Sequence, residues 1–179
     1  MELIFLKRSI KYSAAGVLCA LSVIFLAAGS IVWVFAYTMP LICGIINIMA
    51  IRTFDKRTAF VIYTATSILS LFLLGDKETA LIYALFFGFY PIIRESINAL
   101  KPYLKIPIKF IVFNAGIVAA ELICVYVFMI PFDSFLGKWG AVIMLALGNL
   151  IFIIYDRLLD VLIIIYEKKY KSRIDRLLK

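Results

Sequence analysis

Apolar residues in this chain do not alternate with polar ones. They run in long unbroken blocks separated by short charged stretches, at about residues 12–28, 38–51, 58–74, 79–93, 106–131 and 139–166. Continuous blocks of this length predict helices that cross a bilayer, and the lack of a two-residue period argues against a membrane barrel. The last block, Gly140 to Tyr166, reads GAVIMLALGNLIFIIYDRLLDVLIIIY and is long enough to span with some tilt. Around it the chain predicts an all-α bundle of six spans in one domain. Residues 1–11 form a short amphipathic lead, Pro40 fits the first turn of the second span, and Pro91 kinks the fourth. Gly75-Asp76-Lys77-Glu78 is a tight turn, residues 94–105 a basic helix lying along the membrane surface, and 132–138 a further turn. Trp33 and Tyr37 suit a membrane interface.

Composition and charge place these spans. Of the 179 residues 65% are hydrophobic, which leaves no soluble half, and the net charge of +8 is gathered at span ends. Lys7, Arg8 and Lys11, then Arg52, Lys56 and Arg57, then Arg94, Lys101, Lys105 and Lys109, and finally the tail from Glu167 fall on one side; only Lys77 and Lys138 fall on the other. The positive-inside rule then puts both termini in the cytoplasm, as an even number of spans requires, in a multi-pass protein of the bacterial plasma membrane. The basic balance therefore speaks of lipid headgroups rather than nucleic acid. Cys19, Cys43 and Cys124 lie singly in apolar blocks and read as packing residues. With no His present, no metal-ligand spacing or Ser–His pairing arises, a P-loop is missing, and an enzyme and a bound cofactor are not expected.

Polar groups inside the spans are the candidate chemistry, because hydrocarbon penalises them unless they face protein or water. Glu121 and Asn149 each lie about ten residues, or roughly 15 Å, from the outer ends of the fifth and sixth spans. With Asn47, Tyr63 and Ser67 they would line an outward-opening site for a small polar solute. The alternative is a protonated Glu121 bonded to Asn149 as interhelical glue, with Asn114 in a similar role. Asp156, Arg157 and Asp160 lie nearer the cytoplasmic end, and Arg157 and Asp160, three apart, predict an internal ion pair. On the first span Ala15 with Cys19 and Gly16 with Ala20 repeat at four residues, a spacing that lets another helix approach closely, either within the bundle or from a partner.

The stretches KYSAAGVLCALSVIFL and LIYALFFGFYPIIRESI, in a chain of this size with six spans, resemble the substrate-binding S components of energy-coupling factor transporters. FNAG and LGNLIFIIYDRLL are similar to small clostridial-type membrane proteins of the same layout. The resemblance implies a subunit that binds a vitamin or other micronutrient from outside and docks on a transmembrane coupling subunit driven by cytosolic ATPases. Ala15, Gly16, Cys19 and Ala20 would form the docking face. The second span lacks the Gly-rich turn of riboflavin-type members. Two other classes fit the same layout. A non-transporting scaffold of the MreD type would fill the bundle centre with side chains, and a small proton-coupled carrier would join Glu121 to Asp156 by a polar path.

Overall fold

The computed structural model describes residues 2–32, 35–130 and 140–170. Trp33, the expected turn at 132–138, Lys138 and the tail from residue 171 lie outside them. The described residues are helical throughout, with no strand, in the order α1 (Glu2–Ile31), α2 (Thr38–Thr53), α3 (Lys56–Leu73), α4 (Lys77–Ile82), a π-helical turn (Tyr83–Phe87), α5 (Tyr90–Asn98), α6 (Pro102–Tyr126) and α7 (Gly140–Ile165), which runs on into a second π-helical turn at Tyr166–Tyr170. Four stretches are long and apolar enough to cross a membrane: Ser9–Ile31, Lys77–Asn98, Pro102–Tyr126 and Val142–Lys169. At 16 residues α2 is apolar but about 24 Å long, short of a hydrocarbon core of roughly 30 Å.

Side-chain caps explain most boundaries. Asp55 accepts a hydrogen bond from the Thr58 N–H at 2.6 Å and opens α3; Asp76 accepts from the Glu78 N–H at 3.0 Å and opens α4. Lys77 closes α3 by donating to the Leu71 and Leu74 carbonyls. Pro102 begins α6, where the missing N–H has no helical partner to lose. The expected amphipathic lead is not separate, since α1 runs unbroken from Glu2 through Lys7, Arg8 and Lys11.

The fourth apolar block departs most from expectation. Its helix does not end near residue 93 but continues to Asn98, and its irregularity lies upstream of Pro91, in the π turn. Proline at 91 supplies no N–H to the Phe87 carbonyl one turn back, and its ring crowds that carbonyl. The preceding turn widens instead: the Gly88 N–H donates to the Tyr83 carbonyl at 2.8 Å, five residues back. Two carbonyls here are met by side chains from neighbouring helices. Tyr63 on α3 donates its hydroxyl to the Ala84 carbonyl at 2.7 Å, and Asn47 on α2 donates to the Gly88 carbonyl at 2.6 Å.

Around this turn the core is aromatic. Phe113 and Phe152 stack at 4.9 Å, and Phe86 meets both edge-on at 5.0 and 5.6 Å. Tyr90 meets Phe152, and Phe87 meets Tyr155, in the same way. These rings join α6 and α7 to the α4–α5 rod, while α1 packs on α2 and α3, and α2 touches α1, α3, α5 and α7. Gly44 makes the last approach possible: a Cβ there would lie 2.2 Å from the Tyr155 hydroxyl and 2.6 Å from the Phe87 carbonyl. All three cysteines are free and buried.

Gly44→Ala therefore forces Tyr155 or the π turn to move. We expect it to lower the thermal midpoint in detergent by the equivalent of about 1–3 kcal/mol, as overpacking does, while Gly16→Ala, where a Cβ meets nothing within 4 Å, leaves it unchanged. A second outcome follows from the cap of α3. Lys11 pairs with Asp55 at 2.5 Å, and that ammonium, with the Thr58 N–H, holds the Asp55 carboxyl down at about 2. A value below the ordinary 3.8 means stability that is complete above about pH 4 and fades as the pH falls through 2. Asp55→Asn should flatten that acid limb of a melting-temperature curve and lower the neutral plateau.

Candidate functional site

The densest polar site lies where α5, α6 and α7 meet, and Asp156 is its centre. Tyr90 and Arg94, four apart on α5, present one face to α7. The Tyr90 hydroxyl and the Arg94 Nε both donate to Asp156 Oδ1 at 2.7 Å, and the Lys109 ammonium donates to Oδ2 at 2.5 Å. A terminal nitrogen of Arg94 also reaches the Asp156 carbonyl at 3.0 Å and the Asp160 carboxylate at 2.6 Å. Two cations meet two carboxylates, so the site is neutral. Its cations are the most deeply buried charges described, with side-chain exposures of 2% for Arg94 and 7% for Lys109. Both oxygens of Asp156 are occupied and both cations are engaged, while the Asp160 side chain stays half exposed at the edge. The arrangement is a lock between three helices.

The internal ion pair expected of Asp156, Arg157 and Asp160 is thus corrected in its partners. The two carboxylates point inward to Arg94 and Lys109, whereas Arg157 is exposed and makes no ion pair among the described residues. The sequence places Arg94 at the start of a basic connector and Lys109 just inside the fifth span among the cations of one membrane side, because each stands near the start or end of an apolar block. The signal that marks them is spacing: Arg94 follows Tyr90 by one turn, and Lys109 lies inside IPIKFIVF with apolar residues on both sides.

The five residues expected to line a solute site are not gathered around one space. Asn149 is paired with Asn114 in a reciprocal amide bridge, each side-chain NH2 donating to the other's oxygen at 3.0 Å and to the carbonyl four residues back. Asn47 and Tyr63 are spent on the π turn, as described above. Ser67 is buried on α3, with its hydroxyl unpartnered. Glu121 stands apart, half-buried toward the C-terminal end of α6, with no hydrogen bond or ion pair among the described residues. At the end of the bundle where α2 and α4 begin, Tyr37 donates its hydroxyl to Glu78, beside Asp76, and burial with that acceptor raises the Tyr37 hydroxyl above its ordinary value.

The small residues of α1 divide between two faces. Ala15 and Cys19 are buried, turned into the bundle, while Gly16 and Ala20 are exposed. Of the four residues expected on one docking face, Ala15 and Cys19 are therefore spent on packing within the bundle, and Gly16 and Ala20 alone remain accessible. Beside it a groove of about 800 Å³ opens between α1 and α7. Its floor is the short α2, with Met49, Thr53 and Phe54, and its walls are Val17 and Leu18 on one side and Leu162 and Ile165 on the other. The Thr53 and Tyr166 hydroxyls lie 2.7 Å apart at its end.

At the end of the bundle where α2 closes and α3 opens, further ion pairs tie the helices together. Arg52 on α2 bonds Glu95 on α5 at 2.9 Å and Glu167 at 3.4 Å, and Lys56 on α3 bonds Glu95 at 2.8 Å. No family model, curated protein or solved structure matches the chain.

Removing the shared anion strands the buried Lys109 and leaves Arg94 with Asp160 alone. Asp156→Ala should destabilise the protein by about 3–5 kcal/mol, and adding Lys109→Met should recover part of the loss. A thermal-unfolding cycle with both single variants and the double variant measures that coupling. Arg157→Gln should change stability little.

Proposed function

We infer that the chain is a multi-pass protein of six spans with both termini cytoplasmic, in a bacterial plasma membrane, and that it serves as a non-catalytic subunit of a larger membrane assembly. The observation that carries this reading is where the polar groups are spent. Asn149, Asn114, Tyr63, Asp156, Arg94 and Lys109 are bonded within the chain, and Asn47 through its amide NH2, while the buried Asn47 Oδ1 and the Ser67, Tyr83 and Tyr155 hydroxyls are left without a partner among the described residues. Aromatic rings fill the space between α5, α6 and α7. What is left open lies on the flank: the groove between α1 and α7, and the exposed Gly16 and Ala20. A bundle with a filled centre and an open side is built to be packed against, which favours a scaffold of the MreD type.

The second reading is the solute-binding subunit of an energy-coupling factor importer, and one observation favours it. Glu121 is a half-buried carboxylate with no partner among the described residues, below an outer end that carries Asp76, Glu78 and Tyr37. A ligand there would be a hydrogen-bond donor or cation. Under this reading the flank would meet the transmembrane coupling subunit.

Purification in mild detergent, followed by mass spectrometry of retained small molecules and thermal-shift screening of vitamins, separates the two. A retained solute, with uptake weakened at least tenfold by Glu121→Gln at unchanged membrane insertion, would replace the scaffold reading with the importer. A ligand-free preparation that no vitamin stabilises supports the scaffold.

A further inference from the structure

Away from the span ends, the acidic or basic side chains with no hydrogen bond or ion pair among the described residues are Glu121 and Arg157, and they differ in kind. Glu121 can shed its charge by taking a proton. Arg157 cannot lose its proton in a protein, so at bilayer depth it needs an anion. This argument rests on the reading of α7 as a span.

The surface around Arg157 has a regular form. Ile143, Leu147, Leu150, Ile154, Arg157, Val161 and Ile164 follow one another at alternating steps of four and three residues. The six apolar members are 40% to 62% exposed. The opposite face of α7, with Phe152, Tyr155 and Leu159, is the one packed into the bundle. A stripe with this period is the seam by which one helix packs along another at a shallow angle. Here it is unoccupied and apolar throughout, with a single cation near its cytoplasmic third.

The source of the anion can be narrowed. Glu167, which pairs with Arg52 at the cytoplasmic-side end, is ten residues beyond Arg157, or about 15 Å along the axis. Side chains on a helix lean toward its N-terminus, which on α7 is the outer end, so Arg157 leans away from the cytoplasmic phosphates. Asp160, three residues on, turns Oδ1 to Arg94 at 2.6 Å and makes no ion pair with Arg157. A second copy of the chain packed on the same seam about a two-fold axis would set Arg157 against Arg157, which repels.

We propose that the outward face of α7 is a docking seam for a transmembrane helix of a different protein, and that this helix carries one Asp or Glu that pairs with Arg157. The seam supplies apolar contact along five turns, and the ion pair fixes depth and selects the partner.

The test uses the full-length protein in lipid nanodiscs with a fluorescent synthetic transmembrane helix of leucines bearing one Glu at the depth of Arg157, and matched helices with Gln or Lys there. The Glu helix should associate at least tenfold more tightly than the Gln helix, the Lys helix least, and Arg157→Leu should erase the difference while Arg157→Lys retains most of it. Equal association of all three helices overturns the proposal. In cells, a photo-crosslinking residue in place of Ile154 should capture an identified membrane protein whose spanning helix has a carboxylate at that depth. Capture only of lipid, of a second copy, or of helices lacking an acid overturns it. Ile154→Cys distinguishes failure of the underlying reading: labelling by a membrane-impermeant thiol reagent would mean that α7 lies outside the bilayer, and the spanning reading falls first.

Discussion

The carboxylate of Asp156 is the interaction on which the helix arrangement depends. It faces a tyrosine, an arginine and a lysine from two other helices, and each of the two cations would be costly to bury alone. In a setting with little water the attraction between these groups is screened weakly, so the geometry is held closely. Asp160 completes the neutrality. Because α5, α6 and α7 have apolar surfaces that lipid would solvate equally well, burial of those surfaces gives little reason for one packing over another. The polar contacts supply the choice, and the aromatic rings fill in around it.

A hierarchy follows from that. The three-helix lock and the reciprocal Asn114–Asn149 bridge set α6 and α7 against the α4–α5 rod. The π turn is bound in turn by Tyr63 and Asn47, which bring α3 and α2 to the same rod. The α1 helix is joined by small residues turned inward, by the Lys11–Asp55 pair at the start of α3, and by single contacts from Cys19, Ser22 and Ser30 to Thr66, Cys43 and the Asp76 N–H. The open groove lies between this helix and the locked α7.

Much of this was legible in the residues. Blocks of apolar side chains fixed the existence of the helices, and Asp55, Asp76, Lys77 and Pro102 marked their ends by ordinary capping chemistry. Asp156 and Asp160 could be read as inward-facing because they share a helix face in an apolar run. Their partners could not, because a cation near the end of an apolar block looks the same whether it reaches water or turns inward; Arg94 and Lys109 differ from Arg57 and Lys105 only in what the fold places beside them. Amides have the same ambiguity, since Asn149 bonds as readily to another amide as to Glu121. A four-residue repeat of small residues indicates close approach without saying which of two adjoining stripes faces in, and Ala15 with Cys19 took the interior. Pro91 was read as the bend itself, whereas the strain is relieved one turn earlier, at Tyr83–Phe87.

That wider turn has a consequence for phase. Each residue advances a helix by about 100°, and the π turn holds one residue more than an α turn would. Because that turn takes in its surplus residue while closing the same circle, α5 keeps the facing it would have on a continuous α-helix, with Tyr90 and Arg94 toward α7. Deleting one residue within Tyr83–Phe87 would let an ordinary α turn form and leave Arg94 opposite Asp156, whereas deleting one between Pro91 and Arg94 would swing the guanidinium by about 100° away from it. In this bundle one wide turn shields the meshing of the charged layer from a change of length upstream of it.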